Sequence, residues 1–219
     1  MSKTGDNKGS VPSNGLPASF CANDCLLGVF DQGRENGRLL TVEVEGVGVV
    51  NADFESGIYQ ASVRSEADFF TVDPCRARVA HGRNAIEGPG RPIEELFWKA
   101  AYFGSSGKLL KGCNLYDVVE LQRWPNFTRL PHARCCLPLC SLLARRPSSI
   151  AFAHRMLRVP PPDAMRFCSA ARSAGYLKVI SSQPDSGSEG RSSGSSEPSG
   201  SNVEASSFWG RLFSRFSGL

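Results

Sequence analysis

Histidine and cysteine at regular spacing are the residue types in this chain that could carry metal or thiol chemistry. His132, Cys136 and Cys140 recur every four residues, so a helix would place them on one face. Zinc takes four ligands, usually from paired short spacings such as C-x-x-C, and this spacing does not occur in the sequence. Because buried, reduced cysteine is far commoner, we predict neither a metal nor any other cofactor.

Two further patterns fall short of catalytic signatures. Residues 103–112 read FGSSGKLLKG, but a P-loop would need glycine in place of Tyr102 and serine or threonine in place of Leu109. His81 and His154 could activate a thiol, yet no activating motif surrounds any of the eight cysteines. We therefore predict no catalytic residues and no small-molecule substrate. An enzyme that uses a cysteine or a bound metal is therefore the least favoured of three functional hypotheses. The other two are a protein-binding adaptor and a DNA-binding regulator.

Positive charge is concentrated in one segment of the chain. Residues 120–180 contain ten Lys and Arg against two acids, a net charge of +8, whereas the whole chain carries +4. Residues 1–119 carry a net charge of −3 and residues 181–219 a net charge of −1. This asymmetry predicts an acidic partner for the basic segment, which is nucleic acid, an acidic protein surface or the chain's own first half.

The first half of the chain has the alternating pattern of short β-strands joined by turns. The predicted strands cover residues 26–30, 39–50, 57–63 and 68–73. Residues 74–91 are rich in Gly, Pro and Arg and are predicted to form a loop. One helix follows, opened by Pro92 and ended at Gly104. We therefore predict a small β-rich domain with one helix over residues 24–119.

The basic segment has the pattern of a strand, three helices and a second strand. The strand at 115–124 precedes the helices, of which the second begins at Ser148 or Ser149 and the third ends at Gly175. The alternating run YLKVI completes the order. Three short helices followed by a strand are the outline of a winged-helix-like domain, which we place at residues 120–180. The predicted fold class is α+β.

A winged-helix DNA-binding transcriptional regulator is the alternative function. The side of the third helix that would face DNA carries Asp163, Arg166, Ser169, Ala170 and Ser173. Base readout favours Arg, Lys, Asn and Gln, so this set would read bases poorly. The nucleic-acid contacts that the sequence offers are Arg158, Arg166 and Arg172.

Residues 121–132, LQRWPNFTRLPH, are predicted to form the joint between the two domains. Pro125 cannot donate to a sheet ladder and favours an extended residue before it, so the strand should end here. The predicted interdomain residues are Arg123, Trp124, Phe127, Arg129 and Leu130. We predict that the three apolar members, which recur every three residues, are buried together as a plug. The two arginines are predicted to reach the acidic first half.

This stretch also carries a resemblance to known proteins. Residues 123–132 match the pattern R-W-P-x-F/L-x-x-L-P-H, and residues 91–180 with the C-terminal tail resemble a group of small, uncharacterised proteobacterial proteins. Members of that group have a winged-helix-like region and a short basic-apolar C-terminus. The resemblance implies a non-enzymatic regulatory or adaptor role in bacteria and assigns no catalytic residues.

Both ends of the chain are predicted to lie outside the folded domains. Residues 1–23 are polar and predicted to be disordered, and residues 181–207, with twelve serines and four glycines, are predicted to form a flexible linker. Residues 208–219 form an amphipathic motif, and a tethered motif of this kind usually binds a partner. The predicted partner-binding residues are Phe208, Trp209, Arg211, Leu212, Phe213, Arg215 and Phe216.

These observations combine into one functional prediction, a non-catalytic bacterial adaptor or regulatory protein that acts through protein–protein contacts. The predicted contact surfaces are the basic face of residues 120–180 and the terminal motif. Membrane binding is disfavoured, because the two arginines of that motif would contribute only about 1 kcal/mol each at an anionic surface. The polar start MSKTGDNKGS lacks the apolar core of a signal peptide, which predicts a cytoplasmic location.

Overall fold

The computed structural model describes residues 19–37, 39–82, 86 and 88–182, which fall within one compact unit. They form a mixed α+β structure, as predicted. The helices are α1 (Leu26–Glu35), α2 (Glu66–Phe70), α3 (Ile93–Gly104), α4 (Cys136–Arg145), α5 (Ile150–Met156) and α6 (Pro161–Ser173). The strands are β1 (Ser19–Phe20), β2 (Leu39–Val44), β3 (Gly48–Asp53), β4 (Ile58–Val63), β5 (Ala77–His81), β6 (Arg91–Pro92), β7 (Leu109–Leu110), β8 (Val118–Leu121), β9 (Ser148–Ser149) and β10 (Leu177–Ser181).

The largest sheet is antiparallel and has the strand order β5-β2-β3-β4-β6. Successive side chains of a strand point to opposite faces, and here only one face is apolar. That face is buried and carries Leu40, Val42, Val50, Ala52 and Tyr59. It packs on helices α1 and α3, so the β-rich part of the chain has one covered and one solvated face.

Helix α3 connects this sheet to the basic segment, because it packs on α1, α2 and α6. Its sequence explains this position, since Leu96, Phe97, Ala100 and Ala101 give one buried stripe and Trp98 a second. The predicted start at Pro92 and end at Gly104 are confirmed. One hydrophobic core therefore extends from the sheet into the C-terminal helices.

The basic segment forms a second, three-stranded antiparallel sheet of order β10-β8-β9 together with helices α4 to α6. The predicted second helix begins after Ser149, whose Oγ accepts a hydrogen bond from the Phe152 N–H at 3.2 Å. The third helix ends before Gly175, as predicted. The boundary predicted between residues 119 and 120 falls inside β8, so the division into two domains stays a prediction.

Five predictions for the first half were wrong. The single strand predicted at residues 39–50 is a hairpin of β2 and β3 with its turn at residues 45–47. Residues 26–30 begin helix α1, because Leu26, Leu27 and Phe30 are buried at helical spacing. Residues 68–73 contain the end of helix α2, which Ser65 caps by accepting a hydrogen bond from the Asp68 N–H at 3.3 Å. The predicted loop at 74–91 contains β5, which pairs with β2. This half consequently has three α-helices in its described part, where one was predicted.

None of the helices in the described part of the chain combines the length and the apolar content that crossing a membrane requires.

Candidate protein-binding surface

Helix α5 exposes its largest apolar side chains. It buries Ile150, Ala151 and Ala153 against the core, whereas Phe152 is 51% and Met156 59% exposed. These two residues are four positions apart, so they are neighbours on the solvent face of the helix. A single exposed apolar residue is ordinary. Phe152 and Met156 are neighbours on the helix, so together they form one apolar patch on its solvent face.

Four exposed arginines that have no ion-pair partner in the described part of the chain flank this apolar pair. Arg145 is the last residue of α4, and Arg146 follows it in the connection to β9. Arg155 lies on α5, and Arg158 lies two residues after its end. All four side chains are exposed. Among the residues that the structure describes, no carboxylate lies within ion-pair distance of any of them. We call these four arginines together with Phe152 and Met156 the α5 surface.

The backbone at Arg158 adds a second unusual feature to the α5 surface. Arg158 has a φ of 53°, and the Arg158 and Val159 N–H groups donate to the carbonyls of Arg155 (3.2 Å) and His154 (2.8 Å). This is a Schellman motif, in which the left-handed position usually holds glycine. Helix α6 ends in the same motif with Gly175 at that position. Arginine therefore occupies a position where glycine is the less strained residue, and its guanidinium adds charge to the surface.

The composition of the α5 surface is that of a protein interface. Aromatic residues, methionine and arginine are the types enriched where proteins meet, and lysine and acidic residues are depleted. An acidic segment with apolar side chains would complement both components, because its carboxylates would neutralise the arginines and its apolar groups would cover Phe152 and Met156.

The predicted joint residues lie at the contact between β8, the turn after it and α3. Trp98 of α3 is its centre, with its ring 5.9 Å from Phe127, 6.1 Å from Phe167 and 5.7 Å from Tyr176. The Trp98 Nε1–H donates to the carbonyl of Pro131 at 2.9 Å. Sequence reasoning missed Trp98 because it lies outside the stripe of α3 that the spacing predicts.

Trp124 corrects the prediction of a buried plug. Its side chain is 53% exposed, whereas Phe127 packs on the core and Leu130 is buried. The reason is that Trp98 already fills the space between Phe127 and the C-terminal helices. Burial of Trp124 was therefore a wrong prediction, while Phe127 and Leu130 are packed at the predicted position.

The two arginines of the joint form ion pairs with consecutive acids of α3. Arg123 lies 2.7 Å from Glu94 and above the Tyr176 ring, and Arg129 lies 3.4 Å from Glu95. Burial would raise the pKa of Glu94, but the hydrogen bond and charge of Arg123 together hold that pKa below its ordinary value. Part of the predicted basic charge is thus compensated inside the molecule.

Two of the five α6 residues predicted to face DNA are covered, whereas Asp163, Arg166 and Ser173 are partly exposed. Ser169 and Ala170 are fully buried, because α3 and β7 pack against this side of the helix. The Ser169 Oγ accepts from the Leu110 N–H at 2.9 Å and donates to the Lys108 carbonyl at 3.3 Å. The predicted outward position of Ser169 and Ala170 was therefore wrong.

The three predicted nucleic-acid arginines lie in different surroundings. Arg158 belongs to the α5 surface. Arg166 is held over the Tyr102 ring at 5.3 Å, and its guanidinium lies 4.0 Å from Asp163. Arg172 lies beside Cys113. The structure consequently does not bring these arginines together on one surface.

The regularly spaced His132, Cys136 and Cys140 do not form a ligand set. Burial raises the pKa of the Cys136 and Cys140 thiols to about 12 each, so both are protonated core groups at neutral pH. The His132 Nδ1 lies 2.9 Å from the Leu130 carbonyl, and its ring packs on Phe127. Within the described residues, no group of three or more His, Cys, Asp or Glu side chains could hold a metal ion.

The predictions for the chain ends lie outside the described residues. Those that lie outside are residues 1–18 of the segment predicted to be disordered at 1–23, residues 183–207 of the predicted linker and the whole motif at 208–219. Residues 19–23 are described, and they contain strand β1 with the buried Phe20.

Comparison of the chain with protein-family models, with curated proteins and with solved structures finds no match.

Proposed function

We propose that this protein is a non-catalytic adaptor or regulatory protein that binds a partner protein through the α5 surface. The observation that carries the proposal is that two outward apolar side chains lie among four exposed arginines that have no ion-pair partner in the described residues. Such arginines add little to the stability of the fold, and the two apolar side chains would gain free energy if a partner removed them from water. The partner's matching site would be an acidic segment with apolar residues.

The terminal motif at residues 208–219 is the second contact that we propose. It lies outside the described residues, and its support is the sequence pattern of Phe208, Trp209 and Phe213 on one helical face after a Ser/Gly-rich segment. Two linked contacts of moderate strength would reinforce each other through the effective concentration that the tether sets. The resemblance of residues 123–132 to proteobacterial proteins is the basis on which we propose a bacterial adaptor or regulatory role.

Affinity purification with matched variants tests the proposal. Tagged full-length protein is used to capture proteins from a lysate of the source cells, with quantification by mass spectrometry. The variants are Phe152→Ala with Met156→Ala, Arg155→Gln with Arg158→Gln, and Trp124→Ala as the control for an exposed apolar residue elsewhere. We expect the wild type to capture one specific protein. The Trp124→Ala variant should capture it as well, and neither α5-surface variant should.

Two results would contradict the proposal. One is a set of captured proteins that does not change between the wild type and either α5-surface variant. The other is loss of the same protein from Trp124→Ala, since this would show a general effect of exposed apolar residues. Deleting residues 204–219 in a separate sample tests the terminal motif on its own.

A winged-helix DNA-binding regulator is the second candidate, and strand order is the observation that favours it. We propose that residues 118–181 form a winged-helix-like arrangement. In it, β10 pairs with β8, which precedes the three helices in the chain, and not, in the described part of the chain, with a further strand after β10. The buried Ser169 and Ala170 weigh against base reading by α6. A gel shift with duplex DNA over a salt series tests this candidate. Specific binding with a steep salt slope supports it, and negligible binding at low salt excludes it.

A further inference from the structure

The segment between α3 and β8 is fixed to helix α6 beside a buried thiol. Ser169 of α6 bonds to the backbone of Leu110 at 2.9 Å and Lys108 at 3.3 Å, and the Cys113 N–H donates to the Leu110 carbonyl at 2.9 Å. Cys168 directly precedes Ser169 in the helix and is buried. These bonds position Cys113 next to Cys168, fifty-five residues later in the chain.

The Cys113 and Cys168 side chains lie close enough that each is the largest influence on the pKa of the other, and both are free thiols. Cys168 is enclosed by the core, whereas Cys113 is partly exposed. The charged groups that face the pair are the guanidinium of Arg172, one helical turn after Cys168, and the carboxylate of Asp117. Cys113 is thus the residue of the pair that is nearer to solvent, and Cys168 is the one that the core encloses.

The electrostatics distinguish the two thiols. The hydrogen bond from Cys168 is the largest influence on Cys113, and with the charge of Arg172 it lowers the pKa of Cys113 against the opposing effects of burial and Asp117. The same hydrogen bond, together with burial, raises the pKa of Cys168. Cys113 is therefore the group that ionises first, and Cys168 is the protonated donor.

We propose that Cys113 and Cys168 form an oxidisable dithiol that closes to a reversible disulfide when it reacts with a hydroperoxide. The Cys113 thiolate attacks the peroxide oxygen, the O–O bond breaks, and Cys113 becomes a sulfenic acid while the peroxide leaves as an alcohol or water. The Cys168 sulfur then attacks the Cys113 sulfur, its proton leaves with the hydroxyl as water, and the S–S bond forms. Two thiols are oxidised as one peroxide is reduced, and a dithiol reductant reverses the bond.

No other cysteine combines these features. Cys136 and Cys140 are buried with strongly raised pKa values. Cys75 is exposed, but a hydrogen bond and the charge of Asp73 raise the pKa of its thiol. Burial likewise raises the pKa of Cys25. A low-pKa, accessible thiol next to a resolving cysteine is the arrangement that redox-sensitive proteins use.

Peptide mapping of the wild-type chain tests the proposal without a variant. Trypsin leaves Cys113 in residues 112–123 and Cys168 in residues 167–172, each without another cysteine. The reduced, folded protein is treated with hydrogen peroxide, alkylated, digested without reductant and analysed by mass spectrometry over time. We expect the linked pair 112–123 with 167–172 as the first disulfide, and its disappearance after treatment with dithiothreitol.

Two variants with the same substitution test the role of the guanidinium. Arg172→Gln removes the charge beside Cys113, whereas Arg78→Gln removes an exposed arginine of β5 that has no part in the α5 surface. We expect Arg172→Gln to slow formation of the linked pair by about three- to tenfold, since the thiolate fraction falls with the rising pKa, and Arg78→Gln to leave the rate unchanged. The proposal is overturned if other cysteine pairs form as early, or if peroxide oxidises Cys113 to the sulfinic acid without linkage to Cys168.

Discussion

The arginines of the basic segment are used in two ways that depend on their position. In the turn after β8, Arg123 and Arg129 each face an acid of α3, and both help to hold this turn against that helix. Between the end of α4 and the end of α5, by contrast, Arg155, Arg158 and their neighbours face solvent without a carboxylate in the described residues. The net charge of +8 therefore includes one set of arginines that is paired within the fold and one set that is exposed, which is the set that we propose contacts a partner.

Substitution of the two tryptophans at the contact between α3 and the turn after β8 should give the largest difference in stability. Trp98→Ala removes a buried ring that contacts three other aromatic side chains, so we expect the free energy of unfolding to fall by about 3–5 kcal/mol. Trp124→Ala truncates an exposed ring and should change it by less than about 1 kcal/mol. Urea denaturation of both variants measures the difference. A larger loss of unfolding free energy for Trp124→Ala than for Trp98→Ala would contradict this expectation and support burial of Trp124.

Arginine substitutions in the two regions should show the next largest difference. Arg129→Gln leaves the buried Glu95 carboxylate without its counter-charge, and we expect a loss of about 1–3 kcal/mol in unfolding free energy. Arg155→Gln, which removes an exposed charge, should cost less than about 0.5 kcal/mol. Chemical denaturation at low ionic strength measures both. Equal losses would show that the two sets of arginines do not differ in their structural role.

The sequence predicts the regular elements around α3 and α6 well, because proline starts, glycine ends and helical spacing are local signals. It does not show which of the two tryptophans is buried. That depends on the packing of α3 against α6, where Trp98 contacts Phe167. Helix α1 was predicted as a strand because its core residues, Leu26, Leu27 and Phe30, are also a plausible buried strand.

The α5 surface was only partly predictable. The basic charge of the segment and the helix over residues 150–156 are visible in the sequence. The outward direction of Phe152 is not, because the helix contains an alanine-rich stripe and a larger apolar stripe, and spacing alone does not decide which of them faces the core. A Phe and a Met four residues apart, opposite a stripe of Ile and Ala, are the signal that could have found it.

Replacing Arg158, which has a left-handed backbone, by glycine should increase stability, whereas the substitutions above decrease it. The change should also be smaller. Arg158→Gly places glycine at a left-handed position, and we expect the free energy of unfolding to rise by about 0.5–1 kcal/mol. Ser106→Gly is the matched control, because Ser106 has a φ of 47° at the end of α3. Thermal denaturation should show a gain for both variants, and only Arg158→Gly should lose the partner protein. Retention of the partner by both would separate Arg158 from the α5 surface.

The smallest expected effect is the pH dependence of the Arg123–Glu94 pair. Because the folded-state pKa of Glu94 is lowered, its contribution to stability is present above the unfolded carboxyl pKa and disappears as the pH falls through the folded-state value. The pair is partly exposed, so we expect this contribution to be below about 1 kcal/mol. Denaturation curves between neutral and acidic pH should converge for wild type and Arg123→Gln. Parallel curves would contradict the role of the pair.

Site-specific photo-crosslinking tests the central claim, that the α5 surface is a protein contact, most directly. Benzoylphenylalanine is placed at Phe152 or, as the control, at Trp124, two positions that are 51% and 53% exposed. The account predicts that illumination in the source cells links one specific protein at position 152 only, and that the adduct weakens when Arg155 and Arg158 are changed to Gln. Equal adducts at both positions, or adducts with DNA instead of protein at position 152, would contradict it.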